Sequence, residues 1–590
     1  MSNPRVNRVS SSEGTVPGAP VFHRAEGDLD PSARASLDDA LETLRAHQGE
    51  WKDLPIGDRI ATVEDTLASM TSMGDEWVAA NMQAKGLARG TYAAGEEWTI
   101  YSMGLRAIRG YRDSLNSIER TGRPEIAGGL RLDDDGRVQA RVFPATLLDR
   151  LLFIGVTADV SMLPGATPES VLEHMAWAYQ PGNTEGGLAV VLAAGNLSIL
   201  PLLDSLNMLL VKKHVVLLKI NPVNEYMAPI LERALQPLVD GGYLRIVRGG
   251  PESGDYLTHH PDVDAIHLTG SDKTFEAIVF GRGEEGKRRL ETGQSVNGKK
   301  ITAELGNVTP LIIVPGPWRQ EDIRYKATEL ASWLAINASF NCLSPRIIIQ
   351  HAEWPLRDAF LAALGEALDA IPTRQAYYPG AQSRHQHFVE SHSGVRQFGE
   401  PEPGELPWTL IADIDPSKSD DIAFRNEAFC SVLSECAISA PTTEAFIQQA
   451  VKFANESLWG TLVVSLYVHP RSLADPSVAQ AVERAIADLH YGTVCLNLRG
   501  EFGYFPLVAP WGGYPGSPDT NIQSGRGVIH NPLMFADSQK SVVRGPFRQF
   551  PNPFLATSNR LYGFGIRLAR FEARPSLLRL PGVLWSALVG

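Results

Sequence analysis

From Trp51 to about Ser117 apolar side chains recur at three- and four-residue steps, as in IGDRIATVEDTLASM. That spacing leaves one buried stripe per helix and predicts a helical stretch. Arg131–Val142 alternates instead around a polar tip at Asp133–Gly136, which predicts a hairpin. At Gly187 the texture changes to short, nearly continuous apolar runs: Leu188–Ala194, His214–Ile220, Tyr243–Gly249, Ala265–Gly270 and Ile301–Gly306. Strands covered by helices on both faces read this way. A second series follows at Thr309–Val314, Arg346–Gln350, Ser431–Ile438, Thr461–Val468 and Gly492–Leu496. The pattern therefore predicts α/β architecture, with an open nucleotide-binding layer whose ligands lie beyond the strand C-termini. Three stretches fall outside it. Met1–Gly49, rich in Ser, Pro, Gly and Asp, is expected to be an arm with one short helix near Ser36–Ala46. Tyr378–Pro407 is expected to be surface loop, and Lys540–Gly590 sets eight Lys or Arg residues and many aromatics against the single acid Glu572.

Composition narrows the class. A chain of 590 residues is too long for one ordinary core and implies two or three packed units. The formal charge of -13 argues against DNA or RNA as the main partner, because such surfaces need concentrated positive charge. The N-terminus has no apolar h-region, and the apolar segment Leu206–Leu218 is interrupted by Lys212, Lys213 and His214, so neither export nor a membrane span is expected. The four cysteines, Cys342, Cys430, Cys436 and Cys495, form no CxxC pair, which suits a reducing, cytoplasmic compartment with a thiol left for chemistry.

Most candidate chemistry sits beside the strand-like runs. Asn196 follows Leu188–Ala194, Lys219 ends the next run, Thr269, Gly270 and Ser271 follow Ala265–Leu268, and Glu304 ends ITAE. Cys342, in NASFNCLSPRIIIQ, directly precedes a strand; a thiolate there would attack a carbonyl carbon, whereas the plain alternative is a small buried hydrophobe. Glu304 at the end of an apolar run either activates water as a general base or forms an ion pair at a domain boundary. Lys219 and Ser271 suit the ribose hydroxyls and phosphates of a dinucleotide. No GxGxxG follows a strand, and the glycine clusters Gly249–Gly254 and Gly281–Gly286 read equally well as turns. The pairs His259–His260 and His385–His387 lack companions at ligand spacing, so no metal is expected.

Six short motifs in a fixed order resemble the aldehyde dehydrogenase superfamily over roughly Trp51 to Ile529. AELGNVTP (Ala303–Pro310) resembles its glutamate motif and Asn341–Arg346 its nucleophile segment. GNLS (Gly195–Ser198) is similar to the tract with the oxyanion-hole asparagine, LTGS (Leu268–Ser271) to the cofactor turn, NEAFCSVL (Asn426–Leu433) to the motif whose glutamate holds the nicotinamide ribose, and APWGGYPGS (Ala509–Ser517) to the C-terminal glycine motif. The resemblance implies Cys342 as nucleophile, Glu304 as base, Asn196 in the oxyanion hole, and Lys219, Thr269, Gly270, Ser271, Glu427 and Phe429 at NAD or NADP. It also implies the family's fold: residues 1–50 an extension, 51–306 a helical lead-in and Rossmann-type cofactor domain, 307–495 an α/β catalytic domain, 496–535 a return to the cofactor and oligomerisation region, and 536–590 a basic, aromatic extension. The expected reaction oxidises a hydrophobic aldehyde through a cysteine thioester.

Three departures bear on that expectation. Pro222 stands where the family often has the glutamate that holds the adenine ribose, which leaves room for NADP. Arg346 follows Cys342 by four residues, and CLSPR is similar to the Cys-x-Ser form of acylating, CoA-linked members and fatty acyl reductases. NAD(P)H-dependent reduction of an acyl thioester is therefore the alternative, and a fold retained without activity the third reading. The span from Ser271 to Glu304 is lengthened, as if 281–299 were inserted. A homodimer or homotetramer is expected. The C-terminal stretch could lie on an anionic membrane or wrap a neighbouring subunit.

Overall fold

The computed structural model describes residues 29–589, so the reading of 1–28 as part of an arm lies outside the described residues. Its first helix, Pro31–Asp53, is longer than the run expected at Ser36–Ala46. Asp30 caps it by accepting from the Ser32 and Ala33 amides at 2.8 and 3.3 Å, and Pro31 occupies the first turn. Its buried stripe of Leu37, Leu41, Leu44 and Trp51 packs on the cofactor sheet, where the Trp51 indole donates to the Leu209 carbonyl at 3.1 Å. The predicted helical lead-in is Ile56–Ser72, Gly74–Ala84 and the 30-residue Tyr92–Thr121.

The five apolar runs from Gly187 form adjacent strands of a six-stranded sheet. Its order is Gly525–Arg526, Lys300–Leu305, Ala265–Gly270, Gly187–Leu192, His214–Lys219, Leu244–Val247. All neighbours are parallel except the first pair, in which the chain returns after the catalytic domain and Gly525 pairs with Glu304. Register aligns the functional ends: Leu192 lies beside Lys219 and Leu268, and Thr269 beside Glu304.

The second series lies within an eleven-stranded sheet. Val432–Ile438, Pro345–His351, Thr309–Ile313, Val463–Tyr467 and Thr493–Leu496 run side by side and parallel. Four of its strands were not foreseen: Thr157–Met162, Val395–Phe398, Trp408–Ile414 and Ser538–Arg544. Tyr378–Pro407, expected as loop, contains the helix Ala381–Glu390 and the edge strand Val395–Phe398. The inserted stretch 281–299 contains the charged surface helix Gly283–Thr292.

The largest revision concerns 536–590. Read as an appended extension, it places Ser538–Arg544 inside the sheet, antiparallel to Thr157–Met162 and parallel to Thr493–Leu496. Its polar sequence concealed it, because Lys540 is buried there. The Lys540 ammonium donates to the carbonyls of Ile486, Ala487 and Leu489 at 2.9, 2.7 and 2.7 Å, which caps the C-terminal end of the helix Pro476–Asp488. Burial holds its pKa down at about 8. Farther on, the helix Arg560–Ala573 packs against Tyr92–Thr121 at Gly95 and Gly565. A Cβ on Gly95 would stand 2.5 Å from the Leu561 backbone, and one on Gly565 2.8 Å from the Gly95 carbonyl. Glu572 is buried between Arg106 and Arg109 at 3.2 and 2.7 Å.

Candidate active site

Asn196, Glu304 and Cys342 come from three separate segments and line one cavity. Asn196 sits in the turn between the strand Gly187–Leu192 and the helix Leu200–Leu206. Its side-chain amide donates to the Phe340 carbonyl at 2.9 Å, which fixes the group and leaves a second amide hydrogen for a ligand.

Cys342 precedes the strand Pro345–His351, and of the four cysteines it alone is not fully buried. Its loop is strained and clamped. Asn337, Ala338 and Ser339 adopt successive left-handed conformations, with φ of 52°, 51° and 70°. Such a run costs non-glycine residues roughly 1 kcal/mol or more each and persists only when its surroundings hold it. Arg346 supplies much of that hold, because its guanidinium donates to the carbonyls of Ser339, Asn341 and Cys430 at 2.7, 3.2 and 2.8 Å and to the Ser339 hydroxyl at 2.9 Å. Asn337 supplies the rest. Its amide donates to the Asn196 carbonyl at 3.0 Å, and its Oδ1 accepts from Lys85 and the Tyr377 hydroxyl at 3.0 and 2.9 Å. The Cys342 loop and the Asn196 turn are thereby one unit.

Glu304 is 3% exposed, and its Oε1 is buried without a hydrogen-bond partner. Burial pushes its carboxyl up to about 8, an effect that the facing Cys342 thiol and Trp511 indole partly offset. Burial and then the Glu304 charge push the Cys342 thiol well above its ordinary value, so the resting pair is a neutral thiol beside a largely protonated acid. Asp204, which acts on Glu304 from farther away, accepts from Thr269 at 2.8 Å and lies 3.0 Å from His530.

Two further cavities flank Gly270–Ser271. In the first, Lys219 meets Asn221, Pro222, Gly250, Gly254 and Thr269. Burial lowers the Lys219 pKa to about 8 against the opposing pull of Glu225 and Glu252. The Thr269 hydroxyl is engaged by Asp204. Ser271 caps the helix Asp272–Phe280 by accepting from the Thr274 amide at 3.2 Å. The second cavity gathers Gly270, Ser271, Glu427, Phe429, Arg384 and Trp459. Glu427 Oε1 is buried and unpartnered, and burial, partly offset by Arg346, lifts its carboxyl to about 7. Gly306 lies beneath it, and a Cβ there would displace the Glu427 carboxylate from its present position. A dinucleotide fits this arrangement, with a buried ammonium beside one cavity, an unsatisfied carboxylate in the other and a helix N-terminus between them.

All nine residues singled out in the sequence border these three cavities. Arg346, Asn337 and Trp511 were missed as contributors. Arg346 acts through the carbonyls of its own loop and of Cys430, and Asn337 through the Asn196 carbonyl, and no periodicity in the sequence announces either.

The aldehyde dehydrogenase family profile matches residues 185–398. The aminoacetaldehyde dehydrogenase of Pseudomonas aeruginosa is 26% identical over 303 residues, 48% of this chain and 53% of that protein. The NADP/NAD-dependent aldehyde dehydrogenase PuuC of Escherichia coli is 24% identical over 73% of this chain and 82% of its own length. The chain thus spans about half the length of the P. aeruginosa relative and more of the other. Among solved structures, aldehyde dehydrogenase C of Pseudomonas syringae, in complex with NAD+ and octanal, superposes with a TM-score of 0.60 at 16% identity, covering 92% of this chain and 99% of its own. A Mycobacterium tuberculosis aldehyde dehydrogenase complexed with NAD+ gives 0.58 at 20% identity over 86% and 90%. These structures share the aldehyde dehydrogenase fold with this chain over most of its length, and the family profile matches its residues 185–398. Nothing in these matches singles out the acylating members or the fatty acyl reductases.

Proposed function

We propose that the chain oxidises an apolar aldehyde to its carboxylate, with NAD or NADP as oxidant, through a thioester on Cys342. The observation that carries this reading is the meeting of Cys342, Glu304 and Asn196 in one cavity whose other walls are mainly apolar. Cys342 loses its proton to the Glu304 carboxylate and forms a C–S bond to the aldehyde carbon. The second amide hydrogen of Asn196 and a backbone N–H near Cys342 stabilise the oxyanion. A dinucleotide held in the neighbouring cavities would supply the acceptor for the hydride that leaves that carbon as the thioester forms. Glu304, once it has passed the thiol's proton to solvent, takes a proton from water as the hydroxide adds to the thioester. The C–S bond breaks, the product leaves as carboxylate with its own proton going to solvent, and Glu304 returns its proton to the Cys342 sulfur. Lys219 and Ser271 would hold the adenosine and phosphate portions, and Glu427 the nicotinamide ribose.

The test is turnover of octanal with NAD+ and with NADP+, set beside octanoyl-CoA with NADH or NADPH. Aldehyde oxidation is expected to dominate, and Cys342→Ser to lower it by about 10³-fold or more. Faster reduction of the acyl-CoA would reverse the assignment. No turnover of either, with no nucleotide binding, would leave a fold without activity.

Two surfaces supply the partners in this proposal. Leu147, Leu151 and Ile154 are exposed on and just after the short helix Leu147–Leu152, which suits a homodimer or homotetramer. Leu577, Leu578 and Trp585 are exposed at the C-terminal end, near Arg567, Arg570, Arg574 and Arg579, which suits contact with an anionic lipid surface. No described helix is long and apolar enough to cross a membrane.

A further inference from the structure

The C-terminal segment does more than cover the fold. Phe554 and Leu561 line the same cavity as Cys342, together with Phe502, Phe505, Ile100 and Leu200. We propose that 552–573 is a fixed wall of the substrate cavity and that Phe554 and Leu561 set the length of the aldehyde chain it accepts. This inference rests on the aldehyde-oxidising reading above.

The wall is held from several directions. The Phe554 carbonyl accepts from the Tyr92 hydroxyl at 3.0 Å and from Arg499 at 3.1 Å. The Asn559 side chain accepts from the Tyr92 amide at 3.1 Å, and the Ala556 amide donates to the Ser332 hydroxyl at 2.8 Å. These bonds reach the long helix Tyr92–Thr121, the helix Gln320–Ala335 and the stretch around Arg499, all of which contribute to the cavity or its support. Behind them the Gly95–Gly565 contact and the burial of Glu572 between two arginines seat the helix Arg560–Ala573.

Side-chain packing is equally constrained. The Phe554 ring meets Phe502, Phe505 and Phe564 edge-on, at centroid separations of 5.8, 5.9 and 5.7 Å. Leu561 is 1% exposed. An acyl chain that outgrows the cavity therefore meets a surface that cannot yield without breaking these contacts. One that fits gains apolar contact along the same residues. Selectivity by one or two methylenes follows from such a boundary, each being worth roughly 10- to 200-fold in a well-formed apolar pocket.

Two variants with opposite effects test it. Phe554→Ala removes a ring from the wall, and Leu561→Phe adds bulk to it. Values of kcat/KM for straight-chain aldehydes from hexanal to hexadecanal are measured alongside calorimetric binding of the corresponding fatty acids, which does not need turnover. Phe554→Ala is expected to shift the optimum to longer chains, with the long-to-short ratio rising by about 10-fold or more, and Leu561→Phe to shift it to shorter ones. Loss of folding cannot move the two optima in opposite directions. Unchanged chain-length profiles in both variants, with melting like the parent's, would overturn the proposal. If the parent oxidises no aldehyde, the aldehyde-oxidising reading fails by itself; the fatty-acid profiles then still decide whether 552–573 bounds the cavity.

Discussion

At the scale of the residue, the site is governed by the cost of burying charge. Glu304 is closed off on the strand Lys300–Leu305 with one carboxylate oxygen unmatched, and that isolation raises its proton affinity. With a folded pKa of about 8, the group is mainly protonated at neutral pH and becomes a competent base as pH rises through 8. Aldehyde oxidation limited by thioester hydrolysis should therefore climb from about pH 6, reach half its maximum near pH 8 and level off about one unit higher. Glu304→Gln should remove that limb and lower kcat by about 10²- to 10⁴-fold. Steady-state rates against pH for the two proteins check this; a limb that persists in the Gln variant would assign the base elsewhere. Cys342 and Glu304 were legible as members of one cavity because each ends or precedes an apolar run and sits in a short motif that resembles the superfamily's; residue type alone left a buried thiol and a boundary ion pair open. Thr269 was legible by position only, since its hydroxyl is turned to Asp204. Arg346 was noticed only for its spacing from Cys342; its role in holding three left-handed residues needed the folded loop.

At the scale of the element, apolar runs disclosed the strands that are buried on both faces, and close approach decides what they could not. His214–Lys219 and Gly187–Leu192 were plain because nearly every residue in them is apolar and buried. Ser538–Arg544 was hidden because its one buried lysine satisfies three carbonyls at a helix end, a tertiary match no periodicity carries. The pairing of Tyr92–Thr121 with Arg560–Ala573 was hidden for a similar reason, since it depends on two glycines 470 residues apart, at 95 and 565. Adding a methyl group to Gly95 pushes it against backbone that cannot rotate away. Gly95→Ala is expected to destabilise by about 1–3 kcal/mol. Gly49→Ala, in the helix Pro31–Asp53 with nothing within 4 Å of the added carbon, should instead stabilise by about 0.5–1 kcal/mol. Urea midpoints for the two variants read these opposite signs, and a neutral Gly95→Ala would mean that the helices separate easily.

At the scale of the whole molecule, charge and exposed apolar surface are unevenly distributed. The chain carries a formal charge of -13, yet four arginines gather around the cleft that contains Leu578. Leu578 is 94% exposed and Trp585 62%, on the same C-terminal segment whose earlier part walls the cavity beside Cys342. An apolar aldehyde dissolved in a bilayer would then be taken up by a protein already resting on that bilayer. The arginines would supply attraction at about 1 kcal/mol each near an anionic surface, and the exposed leucines and tryptophan would supply burial. The intact protein should therefore sediment with phosphatidylserine-containing vesicles at low salt, much less with pure phosphatidylcholine, and less again as salt shortens the screening length to a few ångströms. Leu578→Glu with Trp585→Glu should abolish sedimentation while leaving the oxidation of a short, water-soluble aldehyde unchanged. Equal sedimentation with neutral vesicles would remove the electrostatic part. A double variant that changes the oligomeric state while vesicle binding persists would reassign the patch to an interface between copies of the chain.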